Sequence, residues 1–429
     1  MYTFPKRLKI FSISCMIIGL FGLTYGFLSA PSTIEEAIEM TSSDHYGETV
    51  SHNEGHEKDS NHGEHLLHKL QNKPWAALYV SAFFFMMISL GVLAFYAIQR
   101  AAQAGWSIVL YRVMEGITAY LLPGGIIVIA ILVLSGLHFN HLFIWMDPEV
   151  VAHDEIIRNK SGYLNLPFFF ARAIFFLSGW VLYRYFSRKF SLKQDLTPSN
   201  DISNHKKNFK ISAAFLVFYF VTESVMSWDW VMSIDPHWFS TLFGWYVFAS
   251  MFVTGITVIA LITIYLKNNG YLDFVNDSHI HDLGKFMFAI SIFWTYLWFS
   301  QFMLIWYANI PEEVTYFMTR IEDYNLPFFG MLVMNFIFPL IILMNSDYKR
   351  VNYIIVMTGI VIVLGHYIDV FNMIMPSAVG DQWFIGISEI GSFLFFLGLF
   401  VYIVFNELTK APLLAKGDPF VKESKQYHY

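Results

Sequence analysis

Apolar residues fall along this chain in long runs separated by short polar stretches, not in the alternating or amphipathic patterns of a water-soluble fold. A bilayer core needs about 20 mostly apolar residues per helix. Ten runs meet that requirement, near residues 8–28, 75–98, 114–137, 165–186, 210–228, 238–266, 284–308, 326–345, 351–374 and 383–405. The pattern predicts an all-α integral membrane protein with about ten transmembrane helices. A stretch from Trp106 predicts a helical entry to the third span along the membrane surface.

The basic residues orient these spans. Of 27 Lys and Arg, twenty fall on the side of the amino terminus and six on the other side. The exception is Arg172, inside the fourth span. Cytoplasmic loops carry the excess of Lys and Arg, so both termini are expected in the cytoplasm. The first run has a basic start and small residues at Ser29-Ala30, as a secretory signal would. It reads instead as a retained helix.

A repeat organises the spans. Asn165-Leu166-Pro167-Phe168-Phe169 recurs as Asn325-Leu326-Pro327-Phe328-Phe329. Each copy follows a polar outer loop and an aromatic helix end, Phe143-Ile144-Trp145 in one case and Leu304-Ile305-Trp306 in the other. Spans two to five therefore repeat as spans six to nine. Four helices per unit is an even number, so the repeat is parallel rather than inverted. The expected units are a first helix (1–28), a polar His-rich outer loop (29–74), a first four-helix bundle (75–237), a second (238–375), and a last helix with a cytoplasmic tail (376–429). The two bundles thus carry two flanking helices.

Composition narrows the chemistry. The chain is 56% hydrophobic and 14% charged, against about 25% charged in soluble domains. Its single cysteine, Cys15, excludes an internal disulfide framework and an all-cysteine iron–sulfur site. A membrane b-type haem calls for paired histidines on facing helices, and only His366 lies well inside a span. No nucleic-acid signature is present. The outer loop carries His45, His52, His56, His62, His65 and His68. That tract reads either as metal-binding or as a solvated loop against a partner. The spacing matches no zinc pattern, and no metal is expected in this chain.

Ionisable residues inside spans are costly and are functional candidates by default. Glu223 in span five, His366 and Asp369 in span nine, and Glu389 in span ten form a candidate proton relay. Asp229, Asp235 and His237 stand near its outer exit, and Glu115 with Arg112 stands near the inner face. A His–Asp pair three residues apart shares one helix face. At the outer end of span three, His138 and His141 share a face by the same spacing. Together with Asp147 and Arg172 they are candidates for a quinol headgroup vicinity. Arg172 in hydrocarbon needs an acid on a neighbouring helix, for which Glu223 is the candidate, and Asp235 before Pro236 is placed to cap span six. Either a relay or a set of structural hydrogen bonds fits these residues.

The segment from Ser227 to Thr241, which includes Trp228-Asp229-Trp230 and Asp235-Pro236-His237-Trp238, resembles a motif of the polysulfide-reductase-type (NrfD-like) membrane subunits of bacterial alternative complex III. That complex is a quinol:cytochrome c oxidoreductase with two such ten-span subunits. Length, duplicated bundles and the long polar first outer loop resemble the second, shorter one, labelled quinone-binding subunit 2. The resemblance implies a subunit without redox centres of its own in a respiratory complex of the bacterial inner (cytoplasmic) membrane. It implies as partners an iron–sulfur subunit, multihaem cytochrome subunits and a sister NrfD-like subunit, with quinol as the only small-molecule ligand. It also implies proton routes in this chain and the better-supported quinol site in the sister. A proton-coupled secondary transporter and a purely structural membrane scaffold are the alternatives.

Overall fold

The computed structural model describes residues 2–44, 56–198 and 200–428. Its described residues contain helices, turns and loops but no strand. Among the described residues, ten helices are long and apolar enough to cross a membrane. They are α1 (Lys6–Leu28), α2 (His56–Ala101), α3 (Gly105–Gly136), α4 (Leu166–Gln194), α5 (Ser203–Trp230), α6 (Phe243–Asn268), α7 (Asp277–Ala308), α8 (Asn325–Leu343), α9 (Asn352–Val379) and α10 (Ile387–Leu408). Shorter helices at Ile34–Asp44, Pro148–His153, Glu155–Asn159 and Pro311–Glu322 ride on the connecting segments. The chain is a multi-pass membrane protein.

Several helices outrun their apolar stretches. α2 begins at His56 rather than near residue 75, so much of the polar first loop is already helical, with Pro74 inside the helix. Hydropathy marks only where a helix meets hydrocarbon, whereas the backbone hydrogen bonds that hold a helix continue into polar sequence. α6 starts later than expected, at Phe243. The Asp235 carboxylate accepts the His237 backbone N–H at 3.3 Å instead of capping α6, and the Trp238 ring stacks on Tyr316 at 3.9 Å. α3 is entered by a 3₁₀ turn over Gly105–Leu110, where the helical entry from Trp106 was expected.

α2 to α5 pack in a ring, each against the next and α5 back against α2. α6 to α9 form a second ring with the same connectivity. The rings join through α2 against α6, flanked by α2 against α9 and α5 against α6. The repeated segments also match in detail. The Asn165 amide donates to the Ser161 carbonyl at 3.1 Å, and the Asn325 amide to the Ile321 carbonyl at 3.2 Å. Asn165 additionally caps α4 by accepting the Phe168 N–H at 3.0 Å, with Pro167 in the first turn. α10 packs on α2, and α1 lies along α10 through small residues: a methyl on Gly22 would sit 2.8 Å from the Gly391 backbone. Small residues let helix backbones approach where no hydrophobic effect drives association.

Burial follows this plan. The apolar stretches of α2 and α6 are each 94% buried, whereas α1 is 22% buried. Large apolar side chains such as Phe21, Val217, Ile341 and Tyr353 face outward, as a lipid-facing surface requires. The face that bears the start of α1 is here the terminal face, and the opposite one the loop face. Residues after α10 fold back across the terminal face. Asp418 meets Arg100 at 2.9 Å, the Gly417 N–H reaches Asp195 at 2.9 Å, and the Tyr427 hydroxyl reaches Asp282 at 2.6 Å. The tail thereby ties the first ring to the second.

The α2–α6 seam generates the first prediction. A methyl on Gly91 would collide with the Met251 carbonyl, and one on Gly255 would lie 2.9 Å from the Val92 backbone nitrogen. Gly91→Leu is expected to destabilise the fold by at least the 1–3 kcal/mol (roughly) of an overpacked core. A thermal melt of the purified protein checks this, and an unchanged midpoint would contradict the packing.

Candidate functional site

Polar side chains inside the two rings gather in separate places. The tightest group lies in the second ring, where α6, α7 and α9 converge on Asp369, which is 0% exposed. Its carboxylate accepts the Ser250 hydroxyl at 2.8 Å, the Trp294 indole N–H at 2.9 Å, and the Tyr246 hydroxyl. His366 Nδ1 stands 3.2 Å from Asp369 Oδ2 and 3.0 Å from the Ser250 hydroxyl. Its Nε2 has no partner among the described residues. The i, i+3 spacing on α9 puts His366 and Asp369 on one face, and α6 supplies Tyr246 and Ser250 one turn apart.

Tyr246 separates this group from a small cavity on the loop-face side, lined also by Trp298, Gln301, Arg320 and Asn372. Its volume of about 10 Å³ suits one water molecule. Trp298 Nε1, Gln301 Oε1, Arg320 Nη2 and Asn372 Oδ1 all lack partners among the described residues. Four convergent unpaired polar atoms are the setting in which a buried water is expected. Arg320 is held by the Asn372 carbonyl at 3.1 Å and the Tyr316 carbonyl at 2.8 Å, with its guanidinium over the Tyr316 ring.

The first ring holds a network at its terminal-face end. Tyr96 donates to Glu115 at 3.0 Å, Arg112 bonds Glu115 at 2.5 Å and Asp195 at 2.5 Å, and Arg100 reaches Tyr96, Ser191 and Asp418. Burial works against the Asp418 carboxylate, but the neighbouring His205 and the Arg100 charge outweigh it and hold its pKa below the usual value. Ser187, Asn208, Tyr183 and Ser212 extend hydrogen bonds along α4 and α5.

At the loop-face end of the first ring, Arg172 pairs with Asp229 through both carboxylate oxygens, at 2.6 and 3.0 Å. Arg172 also donates to the Tyr163 carbonyl at 3.2 Å, and its guanidinium stacks over the Tyr163 and Phe168 rings. The expected partner, Glu223, lies elsewhere. It is one helical turn and a half before Asp229 on α5, and accepts only from Ser227 and Ser224 of its own helix among the described residues. Asp229 is thus a buried ion-pair partner rather than an interfacial group.

The remaining candidates disperse. Asp235 and His237 lie on the loop-face surface, where His237 Nε2 meets Asp154 at 2.6 Å. The Asp154 carboxylate is held below its usual pKa first by the Ile157 backbone N–H and then by His237. Glu389 sits in the first turn of α10, makes no hydrogen bond to the Asp369 group among the described residues, and accepts the Gly386 N–H at 2.8 Å. His138 and His141 do not share a helix face, because α3 ends at Gly136 and His138 adopts a left-handed turn, φ 61°. His138 is exposed. His141 exchanges two backbone hydrogen bonds with the Asn72 amide and packs edge-on against His68. Burial, then the His68 ring, holds its imidazole pKa below the usual value. Asp147 caps the Pro148–His153 helix. These four candidates for a quinol vicinity line no common cavity among the described residues. Of the loop histidines, His45 and His52 lie outside the described residues, as do the side chains of His56, His62 and His65.

Tyr246, Ser250, Trp294, Gln301 and Arg320 escaped the sequence reading. They are neutral or interfacial residues in aromatic-rich sequence, and only the fold shows that they face Asp369 or its cavity. No protein-family model and no curated protein sequence matches this chain.

The Arg172–Asp229 pair generates a prediction. Removing one partner leaves a buried unpaired charge, a loss of about 3–5 kcal/mol. Arg172→Met and Asp229→Leu singly are each expected to lower the unfolding midpoint more than the double variant does. A double-mutant cycle by thermal melting measures it, and additive losses would refute the coupling.

Proposed function

We propose that this chain is a membrane subunit of a quinol-oxidising respiratory complex, of the NrfD-like type found in alternative complex III. The observation that carries the reading is the Asp369 group: a buried carboxylate with a His partner, in hydrocarbon, beneath a water-sized polar cavity. Quinol oxidation sends electrons to a metal centre and must release protons, and a carboxylate or histidine near the path is the minimal equipment for taking them. In this reading the quinol is oxidised at a boundary with partner subunits, because the cavity at Tyr246 suits a water rather than a ring. Electrons pass to iron–sulfur and haem subunits. Asp369, His366 and Tyr246 move protons toward the loop face in the second ring. The Arg100–Tyr96–Glu115 network serves the terminal face of the first, with Glu223 between that network and the Arg172–Asp229 pair along α5.

The reading sets the terminal face in the cytoplasm of a bacterium and the loop face outside its inner membrane, as the distribution of basic residues supports. With Cys15→Ser as background, Gly162→Cys is expected to react with a membrane-impermeant maleimide on intact cells. Lys416→Cys is expected to react only after lysis. The opposite pattern would invert the topology.

Asp369→Asn is expected to lower quinol:cytochrome c turnover by about a hundredfold while leaving the purified subunit set intact. Visible haem absorbance from co-purifying subunits is the second readout, with the affinity tag on the amino terminus because the tail is docked. Wild-type turnover in the variant would remove Asp369 from the mechanism. A colourless protein that purifies alone would sink the respiratory reading.

One observation favours a proton-coupled transporter instead. α8 is interrupted by a π-helical turn over Val333–Ile337, and Asn335 within it is fully buried with neither amide atom partnered among the described residues. Irregular helices of this kind mark functional sites and hinges. Proton-coupled uptake by the chain alone in proteoliposomes would select that reading.

A further inference from the structure

A cavity of about 900 Å³ opens at the loop-face end of α1, α2 and α10, and Asp369, His366, Tyr246, Ser250 and Trp294 are not among its lining residues. Part of its wall is apolar and lipid-facing: Tyr25, Phe384 and Ile387 line it and are all exposed. A molecule entering from the bilayer meets these apolar side chains on its way in. The deep end is polar. Ser388 and Glu389 line it, 8% and 3% exposed, and neither the Ser388 hydroxyl nor Glu389 Oε1 has a hydrogen-bond partner among the described residues. A buried carboxylate oxygen without a donor is costly, and here it lies beside the one large cavity that reaches it. Lys73 lines the same cavity from α2, and Asp381 lies on its rim, 3.5 Å from Lys69.

We propose that this cavity binds a zwitterionic aminophospholipid of the leaflet on the loop-face side. Its ammonium group donates to Glu389 Oε1 and Ser388, its phosphate meets Lys73, and its acyl chains run down the apolar outside of α1 and α10. Charge decides the ligand class. The cavity wall offers one cation, Lys73, and the carboxylates of Glu389, Asp381 and Asp323, a mixed set that a zwitterion answers at both of its charges. A quinol would satisfy the acceptor and leave Lys73 unanswered. An anionic lipid would answer Lys73 and place its charge against Glu389. The ammonium must also carry N–H bonds, since a quaternary headgroup cannot donate to the orphan oxygen. The site is independent of the proton-relay reading. A lipid here would add to the Phe27–Trp75 ring contact that holds this end of α1, the least buried span, against α2.

The test uses the full chain, purified with whatever subunits it retains, in nanodiscs of phosphatidylethanolamine or of phosphatidylcholine with the same acyl chains. Native mass spectrometry reads the lipid retained after delipidation. Retention of the ethanolamine lipid is expected to exceed that of the choline lipid by about tenfold, the size of one charge-assisted hydrogen bond. Glu389→Gln is expected to bring that ratio close to one, whereas Lys73→Gln lowers retention of both lipids alike. Equal retention of the two lipids by the wild type would overturn the proposal without recourse to a variant. So would a ratio unchanged in Glu389→Gln, or a quinol recovered in place of the phospholipid.

Discussion

Everything in this fold hangs on two helices that meet backbone to backbone. α2 and α6 lie at the centre because Gly91 and Gly255 permit an approach that any side chain would block. In water such a seam would be stabilised by expelling solvent. In hydrocarbon the lipid is as apolar as the helix, and close dispersion contact must do the same work. That explains why these are the two most buried spans. It also explains the symmetry. When the first helix of each repeat packs on its counterpart, α5 falls against α6 and α9 against α2 without further design.

The seam decides where charge can go. Helices at the centre have no lipid-facing side, so a polar group on a facing surface is enclosed by protein whatever its partners. Asp369 uses this. It is flanked by a seam helix, α6, whose Tyr246 and Ser250 supply two of its donors. Arg100 and Tyr96 use it at the other end of α2. Arg172 sits on the peripheral helix α4 and cannot rely on enclosure. It is answered instead by a bidentate carboxylate and two aromatic faces. Arg172 is matched by one carboxylate and Arg100 by Asp418, whereas the charge of Asp369 is spread over a hydroxyl, a phenol and an indole beside a water-sized space.

How much of this was legible in the sequence depends on range. The number of spans and the repeat were readable because each is written locally, in twenty-residue runs and in a five-residue identity. Helix ends were less so: hydropathy cannot see that α2 begins at His56, since polar residues hold a helix together as well as apolar ones do. His366 and Asp369 were readable as a pair because three residues on a helix are neighbours in space. The pairing of Arg172 with Asp229 rather than Glu223 was not, because both acids lie on α5 and only the rotation of α5 against α4 chooses between them. His138 and His141 misled for a related reason. A spacing of three means one face only while the helix lasts, and α3 stops two residues earlier. The companions of Asp369 are neutral residues on other helices, which no local pattern identifies.

The two rings do not place their polar groups at equivalent positions, and the repeat makes that difference informative. Parallel units present the same end of each helix to the same side, so a network inherited unchanged by both copies would open twice on one face. The first ring carries one network at the terminal-face end of α2, α3 and α4 and the Arg172–Asp229 pair at its loop-face end, whereas the second carries the Asp369 group in the loop-face half of α6, α7 and α9 and buried His279, His281 and Lys349 at its terminal-face end. Duplication alone does not produce this. The two copies have kept their backbone plan and diverged in where they place charge, which separates scaffold from chemistry within one chain.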